Sequence, residues 1–381
     1  MTTTGRAKRI NLALQGGGSH GALTWGVLDR LLEDGRLGIS AVSGTSACAM
    51  NAVVLADGYQ RGGAEGARER LAVFWKAVSD AARFSPIRRT PWDRVSGNYS
   101  LDTSPGYLFM EGLSRVFSPY ELNPLNVNPL RDILEEHVDF GNVNRCRRVQ
   151  VFVTATNVRT GRPRIFARGD VTVDSVLASA CLPQMYPAVE IGGEAYWDGG
   201  FSGNPALYPL IDSRSSRDIV VVQINPIVRR ELPRSARDII NRVNEVSFNS
   251  SLIKELRAVV MTQNMMLEAG VDLGHRETYL HIIHTDEEVK DLAASSKLNA
   301  EWSYLRLLFE RGRGWASAWL DTHYDAIGNR STLDLDEIFE DAPRPLGATA
   351  DAPEDEAEDE IGDETGDEAG DEAGDDAGDE T

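Results

Sequence analysis

The stretch from Ile39 to Asn51 limits the possible folds of this chain more than any other. β-branched and small residues lead up to Gly44, and helix-forming residues follow at once from Ala47 to Ala56, with no loop between them. This pattern predicts a strand, a one-residue turn at Ser46 and a helix. A serine on such a bend lifts its hydroxyl clear of the sheet, beside the first N–H groups of the helix. Ser46 is therefore a candidate nucleophile.

Small residues around Ser46 suit so tight a bend. Gly44, Ala47 and Cys48 allow the strand and the helix to pack closely, and Thr45 completes the turn. Gly-x-Ser is common, however, and a buried serine in an ordinary strand-to-helix turn has the same local pattern. The choice between the two interpretations depends on the neighbouring segments.

Upstream of this bend lies a second strand-to-helix transition. A buried strand is predicted over Ile10–Leu14 and an amphipathic helix over Ala22–Glu33, joined by the loop Gln15-Gly16-Gly17-Gly18-Ser19-His20-Gly21. Together with the strand that ends at Gly44, these segments form a βαβ unit. The sequence therefore predicts an α/β protein with a parallel sheet.

Two functions fit the glycine loop. Gly16, Gly18 and Gly21 satisfy the G-x-G-x-x-G fingerprint of dinucleotide-binding proteins, which requires an acidic residue at the end of the next strand. That strand ends instead in Ser43-Gly44-Thr45-Ser46, which disfavours nucleotide binding. The other use of such a loop is an anion nest of backbone N–H groups. In a serine hydrolase this nest, Gly16, Gly17, Gly18 and Ser19, would hold an oxyanion.

Asp198 is the best candidate for the base that an acyl-transfer serine needs. It follows a predicted strand, Glu194–Trp197, and precedes Gly199 and Gly200, which allow close approach of the backbone. A plain tight turn would explain Asp-Gly-Gly in isolation. The elbow serine and the glycine nest favour catalysis.

A histidine could complete a triad in the order Ser, Asp, His. His275, His281, His284 and His323 all lie downstream of Asp198. None lies in a glycine-rich loop like the other candidates, and we interpret them as structural histidines.

Three sequence blocks occur in the order and spacing of a known family. They are Gly16-Gly17-Gly18-Ser19-His20-Gly21, Gly44-Thr45-Ser46-Ala47 and Asp198-Gly199-Gly200. They resemble the signature blocks of the patatin-like phospholipase family over residues 9–210. Thr154-Ala155-Thr156-Asn157 and Ala178-Ser179-Ala180-Cys181-Leu182-Pro183 also resemble bacterial members, and the helical remainder to about residue 340 resembles an extension of a bacterial subgroup.

The resemblance implies a three-layer α/β/α fold around a mostly parallel sheet and a Ser46–Asp198 dyad without histidine. Ser46 would attack an ester carbonyl, Asp198 would accept its proton, and the loop around Gly17 and Gly18 would hold the oxyanion. The implied substrates are carboxylic esters of lipids, or the polyester cleaved by intracellular polyhydroxyalkanoate depolymerases. No metal or organic cofactor is implied. Association with a membrane or granule surface would follow from such substrates.

Two positions depart from the family pattern. The Gly-x-Ser-x-Gly motif ends here in Cys48, so a side chain enters the narrow space between helix and strand. His20 stands where the glycine loop usually carries Arg or Lys, so a fixed charge would become titratable. Because of Cys48, a non-catalytic lipid-binding or regulatory protein on the same fold is the alternative to an enzyme.

Composition excludes several other classes. The formal net charge is −20, but residues 351–381 hold 17 acidic and no basic side chains, which leaves the rest at −3. A nucleic-acid-binding protein would show a basic surface instead. Three widely spaced cysteines suggest neither disulfides nor a zinc site. Without a signal-like or membrane-spanning apolar run, we expect a cytoplasmic protein; the oligomeric state is left open.

The expected organisation has four parts. A flexible N-terminal arm covers residues 1–8, and the catalytic domain covers 9–210. Within the catalytic domain, residues 84–129 are Pro- and aromatic-rich and form either a cap over the site or an irregular extension. Residues 211–340 supply the last core strand and a helical extension. Residues 341–381 form a disordered acidic tail with five Gly-Asp-(Glu/Asp)-(Thr/Ala) copies.

Overall fold

The computed structural model describes residues 7–229, 231–274, 277–284 and 293–333. The expected acidic tail and most of the expected N-terminal arm lie outside the described residues. No helix within the described ranges is long and apolar enough to cross a membrane.

A mostly parallel β-sheet forms the centre of the molecule. Its strands are β1 (Lys8–Leu14), β2 (Leu37–Thr45), β3 (Gln150–Asn157), β4 (Pro163–Phe166), β5 (Val189–Ile191), β6 (Glu194–Asp198), β7 (Asp218–Val222) and β8 (Tyr279–Ile283). The order is β5-β6-β3-β2-β1-β7-β8, and β4 pairs with β3 outside this path. β3, β2, β1, β7 and β8 are parallel, whereas β4, β5 and β6 pair antiparallel.

Helices flank the sheet. They are α1 (Gly21–Asp34), α2 (Ala47–Ala81), α3 (Pro91–Ser96), α4 (Pro105–Ser114), α5 (Pro119–Leu122), α6 (Pro129–His137), α7 (Phe140–Arg145), α8 (Val173–Ser179), α9 (Tyr208–Ser213), α10 (Ala236–Glu268) and α11 (Trp302–His323). Short 3₁₀ turns lie at Gly18–His20, Gly199–Phe201 and Ala294–Leu298, among others.

Two hydrophobic clusters lie on opposite faces of the sheet. Leu12 and Leu14 of β1 belong to the cluster with α1, α2 and α11, whereas Ala13 belongs to the cluster with α9 and α10. This alternation follows from the period of two in a β-strand. The expected α/β class, a mostly parallel sheet with flanking helices, is confirmed.

Three elements have features that the strand and helix patterns alone do not reveal. α2 is kinked at Gly62 and Gly63, which leave helical geometry. β8 pairs with β7 along its whole length from Tyr279 to Ile283 and continues the sheet beyond β7. α11 runs as far as His323, because Trp315, Trp319 and Leu320 keep one face of the helix apolar and buried.

The C-terminal helix α11 packs very closely against α1. A Cβ atom on Gly312 would overlap the backbone of Leu23, and one on Gly26 would overlap the backbone of Phe309. Both sites therefore require glycine for the helices to approach. This contact attaches the C-terminal region to the half of the sheet that carries the glycine loop.

We expect Gly312→Ala to lower the free energy of unfolding by about 1–3 kcal/mol, because the added methyl group overpacks the helix contact. Gly314→Ala is the matched control. It lies two residues away in the same helix, with no atom within 4 Å of its Cβ position. It should stabilise the helix by about 0.5–1 kcal/mol. Urea unfolding of both variants tests this, and equal stabilities would contradict the packing argument.

Candidate active site

Ser46 occupies the bend between β2 and α2 with an unusual backbone. Its φ of 57° and ψ of −128° lie where residues other than glycine are rare. The backbone N–H of Ser46 donates a hydrogen bond of 2.9 Å to the Ser179 hydroxyl at the end of α8. The sequence analysis did not identify Ser179 as a support for the bend.

The backbone around Ser46 is packed too tightly for side chains at two neighbouring glycines. A Cβ atom on Gly16 would lie 2.6 Å from the Thr45 carbonyl oxygen and 2.9 Å from the Ser46 Cβ. A Cβ atom on Gly44 would overlap the carbonyl of Cys48 in the first turn of α2. The small residues of the motif are therefore needed for the approach of loop, strand and helix.

A network of buried amide side chains holds the glycine loop. Asn204 Oδ1 accepts a 2.7 Å hydrogen bond from the Gly16 N–H, and Asn225 Nδ2 donates one of 2.9 Å to the Gly16 carbonyl. Gln15 Oε1 accepts the backbone N–H of Asn225 at 2.8 Å. Both polar backbone groups of Gly16, the N–H and the carbonyl, are therefore held by hydrogen bonds.

The next residues of the loop present open donors. Gly17 and Gly18 are partly exposed, and Gly18 has a φ of 58°. Among the described residues, no acceptor bonds to the N–H of Gly17 or of Gly18. Ser19 is buried beneath them. The two N–H groups are available for an anion beside Ser46.

Strand register places Asp198 next to Ser46. Thr45 pairs with Thr154 in β3, and the following residue of β3, Ala155, pairs with Asp198 of β6. The two candidate residues therefore emerge at the same edge of the sheet. A Cβ atom on Gly199 would overlap the carbonyl of Thr154, so this glycine is required for the close approach.

The Asp198 carboxylate is buried and only half satisfied. Oδ1 accepts a 2.7 Å hydrogen bond from the Gly200 N–H. Oδ2 is buried with no hydrogen-bond partner among the described residues. The Ser46 hydroxyl faces the carboxylate closely enough to lower its pKa, although no hydrogen bond of ordinary length joins them. Oδ2 is the atom of the site that is open to receive a proton.

Burial raises the pKa of Asp198 to about 6. The Gly200 N–H, the Ser46 hydroxyl and the Lys297 ammonium oppose this shift but do not cancel it. Desolvation disfavours the charged form of a carboxyl group. A carboxylate with this pKa is ionised at neutral pH and more basic than an exposed one.

His281 takes a structural position. His281 of β8 contacts Asp218 Oδ1 at 3.1 Å through Nε2 and Thr332 Oγ1 at 2.9 Å through Nδ1. His275 lies outside the described residues. Neither His20 nor His281 bonds to Ser46 or Asp198.

Within the described part of the chain, no group of three or more His, Cys, Asp or Glu side chains is arranged to hold a metal ion.

The two departures from the family pattern are accommodated in different ways. The Cys48 thiol lies against α1, 3.4 Å from Thr24 Oγ1, and burial raises its pKa to about 11. It thus leaves the Gly44 contact undisturbed.

His20 is buried, and its pKa is well below 6.5 because of burial and of the nearby Lys297. His20 is therefore uncharged at neutral pH, and it does not replace the positive charge that Arg or Lys would supply. Its Nε2 contacts Ser296 Oγ at 2.8 Å. Ser296 itself donates to the Ala293 carbonyl, which leaves the neutral imidazole as donor.

A family model described as "Patatin-like phospholipase" matches residues 12–211. The chain belongs to the patatin-like phospholipase family. In general terms this membership makes it a lipid hydrolase. No curated protein matches the chain.

The solved structures that match the chain include VipD and ExoU. VipD from Legionella pneumophila is 14% identical with a TM-score of 0.34, covering 88% of this chain and 73% of VipD. Full-length ExoU from the type III secretion system of Pseudomonas aeruginosa, solved in complex with SpcU, is 15% identical with a TM-score of 0.28. That match covers 80% of this chain and 53% of ExoU, so this chain spans about half the length of ExoU.

The raised pKa of Asp198 predicts a stabilising substitution. Because the pKa of Asp198 is higher in the folded state than in the unfolded state, this residue contributes stability at low pH. That contribution is lost as pH rises through about 6. Asn in place of Asp198 removes the buried charge and keeps an oxygen for the Gly200 N–H. We expect Asp198→Asn to be more stable than wild type at pH 8, by at most about 3 kcal/mol, and the gap to close towards pH 4. Denaturant unfolding at both pH values measures this; a less stable variant at pH 8 would contradict it.

Proposed function

We propose that the chain hydrolyses carboxylic esters of lipids with Ser46 as nucleophile and Asp198 as general base. The observation that carries the proposal is the open, buried Oδ2 of Asp198 beside a serine in a strained elbow. Open N–H groups on Gly17 and Gly18 support it. In this proposal Ser46 is the nucleophile, Asp198 is the base and the two N–H groups form the oxyanion hole, the three parts that acyl transfer needs.

The first half-reaction follows from this arrangement. Ser46 Oγ attacks the carbonyl carbon while Asp198 Oδ2 takes the hydroxyl proton. The carbonyl electron pair moves onto oxygen, and the N–H groups of Gly17 and Gly18 stabilise that oxyanion. When the pair returns, the bond to the leaving alcohol breaks, and the proton passes from Asp198 to the alcohol oxygen. An acyl-Ser46 ester remains.

The second half-reaction uses the same groups. Water replaces the alcohol, and Asp198 takes one proton as the water oxygen bonds to the acyl carbon. Collapse of the second oxyanion breaks the Ser46 ester and returns the proton to Ser46 Oγ. A pKa of about 6 suits both directions, because Asp198 is ionised at neutral pH yet binds a proton better than an exposed carboxylate does.

An exposed apolar surface accompanies the site. Large apolar side chains of the 84–129 segment are accessible, among them Phe84, Trp92, Val95, Phe109, Val116, Tyr120, Leu125 and Val127. The segment is tied to the body by a 2.7 Å ion pair between Arg89 and Glu301 and by the stacking of Tyr99 on Tyr304. Patches of this kind mark contact sites for other apolar surfaces. We propose that this segment contacts the lipid or polyester surface.

Substitution of the dyad is the main test of the activity. We expect Ser46→Ala and Asp198→Asn to lower the hydrolysis of p-nitrophenyl butyrate and p-nitrophenyl palmitate, Asp198→Asn by about 10²–10⁴-fold in kcat. His284→Ala is the matched control and should keep wild-type activity. A comparable loss in His284→Ala would indicate a triad and overturn the dyad.

A serine-directed fluorophosphonate probe separates the enzyme from the non-catalytic alternative. Labelling at Ser46 supports the enzyme, and a lipid-binding chain that is not labelled supports a regulatory protein. The ratio of butyrate to palmitate rates begins to separate a short-chain polyester from a long-chain lipid.

The apolar segment makes a separate prediction. Trp92→Ser should slow hydrolysis of phospholipid vesicles or polyester granules and leave p-nitrophenyl butyrate unaffected. Leu232→Ser is the matched control, because Leu232 lies outside the segment and both side chains are 78% exposed. Equal effects of the two variants on vesicles and on granules would show that the segment makes no specific contact.

A further inference from the structure

A lysine from the C-terminal region lies against the glycine loop. Lys297 belongs to the 3₁₀ turn Ala294–Leu298. A Cβ atom on Gly18 would overlap the Lys297 carbonyl and lie 3.3 Å from its Cβ. The turn therefore packs directly on the residues that present the open N–H groups. No sequence motif marks Lys297, which lies 99 residues beyond Asp198.

The ammonium group lies near both halves of the site. Lys297 Nζ donates a 2.6 Å hydrogen bond to Asn225 Oδ1, and the same amide donates to the Gly16 carbonyl. Nζ also lies 5.8 Å from the centre of the Phe248 ring, which occupies the space above Gly200. Asn225 thus lies between the ammonium and the glycine loop, and Phe248 lies between the ammonium and the Asp-Gly-Gly turn.

The surrounding charges do not neutralise Lys297. No carboxylate of the described residues lies within ion-pair distance of Nζ. Glu245 of α10 is the carboxylate with the strongest electrostatic effect on Lys297, but it pairs with Arg229 at 2.6 Å and with Arg242 at 3.3 Å. His20 is neutral.

The pKa of Lys297 is lowered in this environment. Burial lowers its pKa to about 8; Glu245 and Asp198 act to raise it, and Arg229 acts to lower it. A half-buried cation whose one close partner is a neutral amide is unfavourable, and an anion that reaches it gains a charge-assisted hydrogen bond. The ammonium has two further N–H groups with which to make one.

We propose that Lys297 binds an anionic group of the substrate, a phosphate or a carboxylate attached to the ester under attack, and so makes anionic esters the preferred substrates. The proposal rests on the proposed function, since it assigns a substrate class to the same site. The oxyanion of the reaction is placed by the N–H groups of Gly17 and Gly18. Asn225 holds the ammonium and also contacts Gly16, so a second negative group of the same substrate would lie beside the loop.

Pairs of soluble esters that differ in charge test this proposal. One pair is 1-butyrylglycerol and its 3-phosphate; the other is p-nitrophenyl butyrate and the p-nitrophenyl monoester of succinate. In Lys297→Met, kcat/KM for both anionic esters should fall about 10- to 100-fold, mainly through KM, because one charge-assisted hydrogen bond is lost. The neutral esters should change less than about twofold. Loss confined to one pair would identify phosphate or carboxylate as the group recognised.

Matched variants sharpen the comparison. Lys297→Arg should retain the preference, and Lys254→Met, which removes an exposed lysine of α10, should behave as wild type. The preference of the wild type should decline as pH rises through about 8, where Lys297 loses its charge, and persist in Lys297→Arg. Lys297→Gln allows the same comparison if Lys297→Met does not fold.

Two results would overturn the inference. An equal loss on neutral and anionic esters would show that Lys297 acts on the oxyanion or on Asp198 instead. Unchanged constants on all four esters would remove Lys297 from the site. Failure of the proposed function looks different, because wild type would then hydrolyse none of the esters.

Discussion

Close contact between three backbone segments at Ser46 is the constraint on which the rest of the structure depends. The loop after β1, the end of β2 and the start of α2 meet without room for a Cβ atom at Gly16 or Gly44. This contact holds Ser46 in an unfavourable conformation that costs on the order of 1–3 kcal/mol. The strain is sustained because every neighbour is fixed: the amides of Asn204 and Asn225 hold the loop, and Ser179 holds the Ser46 N–H.

The site also holds two charged groups whose charges are not neutralised by a nearby partner. Asp198 and Lys297 carry opposite charges that burial disfavours, and neither has a countercharge within ion-pair distance among the described residues. Partial desolvation without full pairing leaves one oxygen of Asp198 basic and leaves Lys297 able to bind an anion. A tight ion pair between them would stabilise the fold and remove both properties. The observed separation therefore favours chemistry over stability.

Local patterns predicted much of this molecule, and long-range contacts account for the remainder. The alternation of apolar residues and the two strand-to-helix transitions were sufficient to predict the parallel sheet with flanking helices. The Ser46 and Asp198 assignments stay predictions, although register explains why they are neighbours. Lys297 was not predictable, because a 3₁₀ turn has no apolar period. The isolated histidine at position 20 gave no indication that burial would keep it neutral.

The boundary of the family match does not coincide with a boundary of the fold. The match ends at residue 211, whereas β7 pairs along β1 and α11 covers α1 from positions further on. A chain that stopped at residue 211 would leave β1 as an open edge, and open edges recruit strands from other molecules. The segments beyond residue 211 are therefore part of the same compact unit as the matched region. Ser46 and Lys297 lie in one unit that needs both parts of the chain to fold.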